Sequence, residues 1–320
     1  MNPRRVLVTG GAGFIGSQVA AAYVTRGDQV WIVDDLSSGK RANLPDGATF
    51  IEMPIGDGGL DDLFREVGGF HLVNHHAAQI DVRTSVADPR RDARTNVDGF
   101  LNVAECALRH GGSRLVFVSS GGVVYGEPEV RPTPETAPKG PLSPYGVTKL
   151  TAEYYLQYYH HVHGLDYVAL RYSNVYGPHQ DPFGEAGVVA IFSTRLLADE
   201  PLTIFGDGEQ TRDYVYVGDV VAANLAFSDA ALPRARTLDD RAFNIGTGIA
   251  TSVNNLARTL GEAVGRIVST VNKAPRPGEL RESVLDCSKA RTHGWTAATS
   301  LSAGLARTFA WIATESGAVR

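Results

Sequence analysis

The sequence predicts an α/β fold, a doubly wound parallel sheet followed by a smaller C-terminal domain. Three observations point there. Short strand-like runs alternate with longer helical patterns through the first half of the chain, the rhythm of parallel strands joined by crossover helices. The strand Arg5–Thr9 runs straight into the glycine loop Gly10-Gly11-Ala12-Gly13-Phe14-Ile15-Gly16 and then into an Ala-rich helical pattern ending near Gly27. Residues of unusual chemistry gather where strands end: the glycine loop, Asp34, His75-His76-Ala77-Ala78-Gln79 and Ser119-Ser120-Gly121-Gly122. Ligands of open α/β sheets bind at those ends.

Gly11, Gly13 and Gly16 satisfy Gly-x-Gly-x-x-Gly, and Gly10, Gly13 and Gly16 satisfy Gly-x-x-Gly-x-x-Gly. Glycine is needed where backbone turns tightly and where it approaches a pyrophosphate, and the helix N-terminus offers free N–H groups to the phosphates. A glycine motif alone is weak; the strand–loop–helix context and an acid ending the next strand give it meaning. That next strand, Gln29–Val33, ends at Asp34-Asp35. A carboxylate there accepts hydrogen bonds from both adenosine ribose hydroxyls and repels a 2′-phosphate, so the expected cofactor is NAD rather than NADP. Against this stand Lys40 and Arg41, near enough to accommodate a phosphate, and the plain alternative that Asp34 caps a loop.

Further strands are expected at Ala48–Ile51, Phe70–Asn74, Arg114–Val118 and Tyr167–Leu170, with helices over Asp92–His110 and Tyr145–Val162. After Pro178 the alternation gives way to short elements rich in Gly and Pro. The expected division is a cofactor-binding domain over 1–177 and a mainly substrate-binding domain over 178–320, with the chain returning to the first domain around 213–246.

With 320 residues, 43% of them hydrophobic, the chain can bury a large core, and its net charge of −5 without a basic run suggests neither nucleic acid nor an anionic membrane as partner. The apolar run at the N-terminus stops at Val8, too short for a signal-peptide core, and no segment reads as a membrane span. Cys106 and Cys287 have no metal-ligand spacing, so a cytoplasmic protein with two reduced thiols is expected. His160, His161 and His163 crowd a helix end without a carboxylate or cysteine partner, so capping or solvated histidines are expected and no metal site. His75 and His76 follow a strand where a cofactor would pass, and backbone contact is the reading there. Asp81 and Arg83 face either a substrate or each other.

On the helix after Ser143-Pro144, Tyr145 and Lys149 stand four residues apart and share a face. An ammonium beside a phenol favours the phenolate, making a general base that works near neutral pH. Tyr-x-x-x-Lys by itself is a common accident, and Tyr154, Tyr155, Tyr158 and Tyr159 read as packing residues. Tyr145 is set apart by the strand ending in Ser119-Ser120, which delivers hydroxyls to the same crevice.

The chain resembles the extended short-chain dehydrogenase/reductases, built on the Rossmann fold, and within them the UDP-galactose (UDP-glucose) 4-epimerases. The resemblance runs nearly end to end: Thr9 to Ser17, Asp34-Asp35-Leu36, His75-x-Ala77-Ala78-Gln79, Asn96-Val97-Asp98-Gly99, Ser119 to Gly126, and Ser143-Pro144-Tyr145-Gly146-x-x-Lys149. It continues through Arg171 to Pro178, Phe205 to Gly208, Thr211 to Tyr214, Phe243 to Gly246, and Arg276-Pro277-Gly278-Glu279. It implies that Tyr145 removes the proton of the sugar 4-hydroxyl while hydride passes from C4 to tightly held NAD, and that a transient 4-keto sugar turns over and takes the hydride back on its other face. Lys149 holds the nicotinamide ribose and keeps Tyr145 acidic. The implied cofactor contacts are Gly10, Gly13, Phe14, Ile15, Gly16, Asp34, Asp35, Leu36, Ser37, Ser38, Gly39, Ile55, Ala77, Ala78, Gln79, Asn96, Ser119, Tyr145, Lys149 and Ser173. The implied substrate contacts are Ser120, Gly121, Tyr145, Asn174, Val188, Arg212, Arg276, Glu279 and Ser283, with the two arginines and Asn174 on the diphosphate and nucleotide.

Two positions depart from the family pattern. Three residues before Val124, where a Ser or Thr usually serves the tyrosine, stands Gly121; either Ser120 reaches the 4-hydroxyl, or a water fills the space, or Tyr145 works unassisted. After the third strand, where an acid usually accepts from the adenine amino group, the pair is Pro54-Ile55, and Asp57 is the candidate replacement. A 4,6-dehydratase would carry Asp-Glu immediately before Val124, where Gly122 and Val123 stand. A silent NAD-binding sensor is disfavoured by the intact Tyr145/Lys149 pair. Asp181 disfavours a uronate substrate by like-charge repulsion. In the resembling family the position of Ser283 lines the sugar's C2 substituent; a small residue there implies that the N-acetyl sugars are accepted too. Apolar and aromatic residues on more than one face of the two long helices predict a homodimer.

Overall fold

The structure is a computed structural model that describes residues 3–111, 114–182, 187–275 and 280–317. Thirteen strands occur among them: β1 Arg5–Thr9, β2 Gln29–Asp34, β3 Ala48–Glu52, β4 Leu72–His75, β5 Arg114–Ser120, β6 Tyr167–Tyr172, β7 Asn174–Tyr176, β8 Leu202–Phe205, β9 Thr211–Tyr216, β10 Ala242–Ile245, β11 Ala250–Ser252, β12 Thr270–Lys273 and β13 Glu282–Ser283. The chain divides into two units. One comprises 1–126, 138–171 and 221–243; the other comprises 127–137, 172–220 and 244–320.

The first unit is built on a seven-stranded sheet in the order β10-β6-β5-β4-β1-β2-β3. β1 pairs in parallel with both β2 and β4, so the strand order reverses direction between β1 and β4. That switch point leaves a crevice at the strands' carboxyl ends. The central strands read as continuous apolar runs because helices cover both faces: Val6, Leu7 and Val8 are fully buried, as are Val73 and Leu115. One side of the sheet is closed by Leu60, Phe64, Phe100, Val103 and Leu156 from its helices.

The helix expected over Asp92–His110 is not continuous. It begins at Pro89, breaks into a π turn over Arg94–Asp98 and resumes as an α-helix over Gly99–Arg109. The extra residue of a π turn shifts the helical phase, which brings Asn96 inward to three polar partners, the half-buried Gln79 and the buried Asp92 and Thr148. The helix Pro144–His163 is nucleated as its sequence suggests: the Ser143 hydroxyl caps the Gly146 N–H at 3.2 Å and proline occupies the first turn.

The second unit holds a four-stranded sheet, β11-β9-β13 with β7 also paired to β9, and the two-stranded β8/β12 sheet. Its core gathers Tyr176, Val189, Phe192, Leu202, Leu256, Leu260 and Leu305. No helix among the described residues is long and apolar enough to cross a membrane.

Candidate active site

The glycine loop is shaped for close approach. Gly10 has φ +68°, and a Cβ on it would sit 2.5 Å from the Ala77 nitrogen; a Cβ on Gly16 would sit 2.2 Å from the Gly10 carbonyl oxygen. The helix Phe14–Thr25 that follows has Gly13 at its N-cap and no side-chain cap, so its first N–H groups face the loop. This cradle, with its uncapped helix N-terminus, fits a pyrophosphate. Phe14 and Ile15 form the first turn. Asp34, at the end of β2, accepts from the N–H groups of Ala12 at 2.9 Å and Leu36 at 2.8 Å, so it clasps the glycine loop. Burial raises its pKa, against those two bonds. Each carboxylate oxygen retains a second acceptor site, which suits ribose hydroxyls. Asp35 accepts from the Ser37 N–H; Ser37, Ser38 and Gly39 continue the loop, and Leu36 takes a left-handed φ of 58°. Arg41, the doubt over NADP, is ion-paired with Glu52 across Phe50. Asp57 is exposed and caps Gly59, while Ile55 packs in the core.

Tyr145 and Lys149 meet as expected. The Lys149 Nζ lies 5.8 Å from the centre of the Tyr145 ring and donates to the Val118 carbonyl at 2.9 Å. Lys149 is 3% exposed, and burial pushes its pKa down to about 8, opposed by Asp92 and then Glu153. His75 and His76 stand on the same side. Burial, then the Lys149 charge, keeps His75 well below its ordinary value and takes His76 down to about 3, so both are neutral. His75 shares a 2.8 Å hydrogen bond with Thr9, whereas the buried Nε2 of His76 has no partner in the structure.

The serines divide. The Ser119 hydroxyl is buried and donates to Glu153 at 2.5 Å, so its proton is committed. Ser120 ends β5, half-buried, just before the single helical turn Gly121–Val124. Asn96 is clasped to the loop after β4: its Oδ1 accepts from the Gln79 N–H at 2.8 Å and its Nδ2 donates to the Gln79 carbonyl at 2.9 Å. Ala77 and Ala78 lie on that loop, and the Ala77 N–H donates to Thr9.

Behind this crevice lies a charge network that the sequence reading missed. Arg171 is fully buried; it forks onto Glu153 and also donates to the Tyr125 hydroxyl at 2.9 Å and to Asp239 at 3.0 Å. Burial opposes its charge, but Glu153 and Tyr125 together outweigh burial and hold the guanidinium above its ordinary pKa. Lys139 pairs with Asp239. One signal was available: Glu153 falls one further turn beyond Tyr145 and Lys149 on the same helix.

In the second unit, three predicted substrate residues share one sheet. The register sets Asn174 beside Tyr214 and Ser283 beside Arg212. Residues two apart on a strand share a face, so Asn174, Arg212 and Ser283 line one face together. Ser173 precedes them; its hydroxyl is buried without a hydrogen-bond partner, and a Cβ on Gly246 would meet it at 2.9 Å. An orphaned hydroxyl of this kind suits a bound ligand. Val188 opens the helix Val188–Leu197, half-buried. Arg276 and Glu279 lie outside the described residues.

The cysteines are buried and free, and burial raises Cys106 to about 11 and Cys287 further, so neither offers a thiolate. Among the described residues no cluster of three or more His, Cys, Asp or Glu is arranged to hold a metal. His160 serves as a cap, joining the Leu165 carbonyl at 2.7 Å and the Ala235 N–H at 3.2 Å.

Comparison with known proteins agrees with this geometry. Residues 6–246 match the model of the NAD dependent epimerase/dehydratase family. A UDP-glucose 4-epimerase of Mycolicibacterium smegmatis is 44% identical over 310 residues, covering 95% of this chain and 97% of the relative. A putative UDP-glucose 4-epimerase of Methanocaldococcus jannaschii is 42% identical over 309 residues, covering 96% and 98%. The crystal structure of a UDP-glucose 4-epimerase with UDP-glucose from Thermotoga maritima superposes with a TM-score of 0.92 at 46% identity, covering 97% of this chain and 99% of that one. That of the Thermus thermophilus UDP-glucose 4-epimerase complexed with NAD gives 0.89 at 41% identity, covering 98% and 100%. With its glycine cradle, clasped Asp34 and Tyr145/Lys149 helix in place, this chain belongs to the NAD dependent epimerase/dehydratase family, within the extended short-chain dehydrogenase/reductases.

Proposed function

We propose that this chain is a nucleotide-sugar 4-epimerase interconverting UDP-glucose and UDP-galactose, and that it also takes their N-acetyl forms. The observation that carries the reading is the pairing of Tyr145 with a buried Lys149 at the carboxyl end of β5. It agrees with the names of the relatives described above. NAD is the cofactor; the glycine loop and the N-terminus of the Phe14–Thr25 helix hold its pyrophosphate and Asp34 its ribose. When bound, NAD supplies reversible two-electron oxidation at C4 of the sugar.

Tyr145 takes the proton of the 4-hydroxyl as C4 is oxidised and returns it after the sugar has turned. Lys149, charged and shielded from water, favours the phenolate form of Tyr145. Gly121 contributes no hydroxyl, so Ser120 or a water assists. Arg212 and Asn174 bind the diphosphate and nucleotide; 1–177 serves the cofactor and 178–320 is mainly substrate-binding, with the chain returning to the first domain around 213–246. Tyr145→Phe tests the proposal: it folds, retains NAD and loses most turnover on UDP-galactose, because only the proton-accepting group has gone. Turnover within about threefold of wild type would remove Tyr145 as the base.

The protein acts as a homodimer in the cytoplasm. Tyr154, Tyr158 and Val162 are 54%, 48% and 61% exposed along one helix, an aromatic stripe that a second copy of the chain covers. Sedimentation showing only monomer at micromolar concentration would refute the dimer.

A further inference from the structure

Among the described residues of the first unit, two buried carboxylates have no ion partner: Asp34, which is held by backbone N–H groups at the glycine loop, and Asp92. Glu153 is ion-paired with Arg171, and Asp239 with Lys139. Lys149 donates only to a neutral backbone carbonyl, and His75 and His76 beside it are neutral. Of the two carboxylates without an ion partner, Asp92 is the one packed against the Lys149 helix through Thr148, and it is 0% exposed. Every donor to it is neutral: Gln79 Nε2 at 2.9 Å, Asn96 Nδ2 at 3.1 Å and Thr148 Oγ1 at 2.7 Å.

An asparagine at this position would satisfy the same three neighbours. Its oxygen would accept from the two amides, and its NH2 would donate to Thr148, whose own hydroxyl proton already has the Tyr145 carbonyl 3.0 Å away. Hydrogen bonding alone therefore does not call for a carboxylate here. A buried charge without an ion partner is costly, and Lys149, one turn along the helix from Tyr145, carries the same cost with the opposite sign.

We propose that Asp92 is a positioning residue for the reaction, the remote counter-charge that keeps the Lys149 ammonium protonated beside Tyr145. This rests on the reading of Tyr145 and Lys149 given above. The other charged or titratable groups around Lys149 are Tyr145 and Glu153 on its own helix, His75 at the end of β4 and His76 just after it, and Arg171 on β6 behind Glu153. Of these, Glu153 is the only further anion, and Arg171 already offsets it. Asp92 acts through the Pro89–Ala93 turn and the π turn, which hold it fixed by way of Asn96 and the loop of Gln79.

The chain has five lysines, so a sample labelled at lysine 13Cε gives a spectrum sparse enough to follow Lys149 by pH titration, assigned by its loss in Lys149→Met. The titration is run on the full chain with and without NAD. Asp92→Asn lowers the Lys149 midpoint by about one unit, the low end of what a nearby opposite charge contributes. Thr148→Val, which removes a hydrogen bond to Asp92 but no charge, leaves the midpoint in place. The alkaline limb of kcat moves with it: Asp92→Asn loses about fivefold at pH 8 and little at pH 6, following the protonated fraction of Lys149. An unmoved midpoint in Asp92→Asn, or an equal shift in Thr148→Val, overturns the proposal. Should Asp92→Asn fail to fold, wild type decides. A midpoint near 8 without NAD supports a counter-charge, whereas one near 5 to 6, roughly where uncompensated buried lysines fall, overturns it. Full turnover in Lys149→Met would instead sink the functional reading and leave the titration result standing.

Discussion

Replacing Lys149 by methionine removes one buried charge and keeps the length of the side chain. The ammonium is 3% exposed, so solvent screens it little, and burial takes it from 10.5 down to about 8. At about 1.4 kcal/mol for each tenfold change in proton affinity, holding that charge costs the fold roughly 3 kcal/mol at pH 7. Losing the hydrogen bond to the Val118 carbonyl returns roughly 1 to 2 kcal/mol of that. Lys149→Met is therefore expected to be inactive and yet more stable than wild type by about 1 to 2 kcal/mol at pH 7 in nucleotide-free protein. The sign reverses predictably with pH. Because the folded-state value lies below the unfolded one, the unfolded chain binds more protons between about pH 8 and 10.5, and wild type gains stability as pH rises through that window. Methionine has no such gain. The difference between the two proteins should thus shrink by roughly 3 kcal/mol across the window and end in favour of wild type. Urea denaturation at pH 7, 8, 9 and 10 measures it, groups common to both proteins cancelling in the difference. A stability difference that stays constant with pH would refute the reasoning, since it would mean that Lys149 is not a strained charge.

Glu153→Gln leaves Arg171 fully buried without its forked partner, and should cost about 3 to 5 kcal/mol in the same denaturation assay, as broken buried pairs do; a loss under about 1 kcal/mol would show that Asp239 and Tyr125 suffice. On the proposed reading that Ser283 lines the sugar's C2 substituent, Ser283→Tyr should suppress turnover of UDP-N-acetylglucosamine while sparing UDP-glucose. Unchanged turnover of the N-acetyl sugar would mean that Ser283 is not the gate.

The sequence by itself determined those parts of the protein whose geometry is local. Strand, loop and helix follow one another from Arg5 to Thr25, so glycine spacing alone dictates the cradle, and Asp34 is fixed by ending the next strand. Tyr145 and Lys149 are joined by a single helical turn, whose pitch is a property of the backbone. Their meeting needed no knowledge of the rest of the chain. The helix over Asp92–His110 was legible as helix, but its π turn was not, because the phase shift is stabilised by Gln79 and Thr148 from other segments.

Only the tertiary structure decided which charges are buried and what faces them. Gln79, Asp92 with Asn96, and the helix carrying Thr148 and Glu153 come from three separate stretches of chain, and Arg171 and Asp239 from two more; no periodicity relates one stretch to another. Ser119 reads from the sequence as a ligand contact, and packing also joins its hydroxyl to Glu153. Asn174, Arg212 and Ser283 are far apart along the chain, and strand register alone sets them on one face. The physical reason is common to all of these. Backbone geometry is set by neighbours in sequence, whereas desolvation, and with it the energy of every buried charge, depends on whatever the fold brings near.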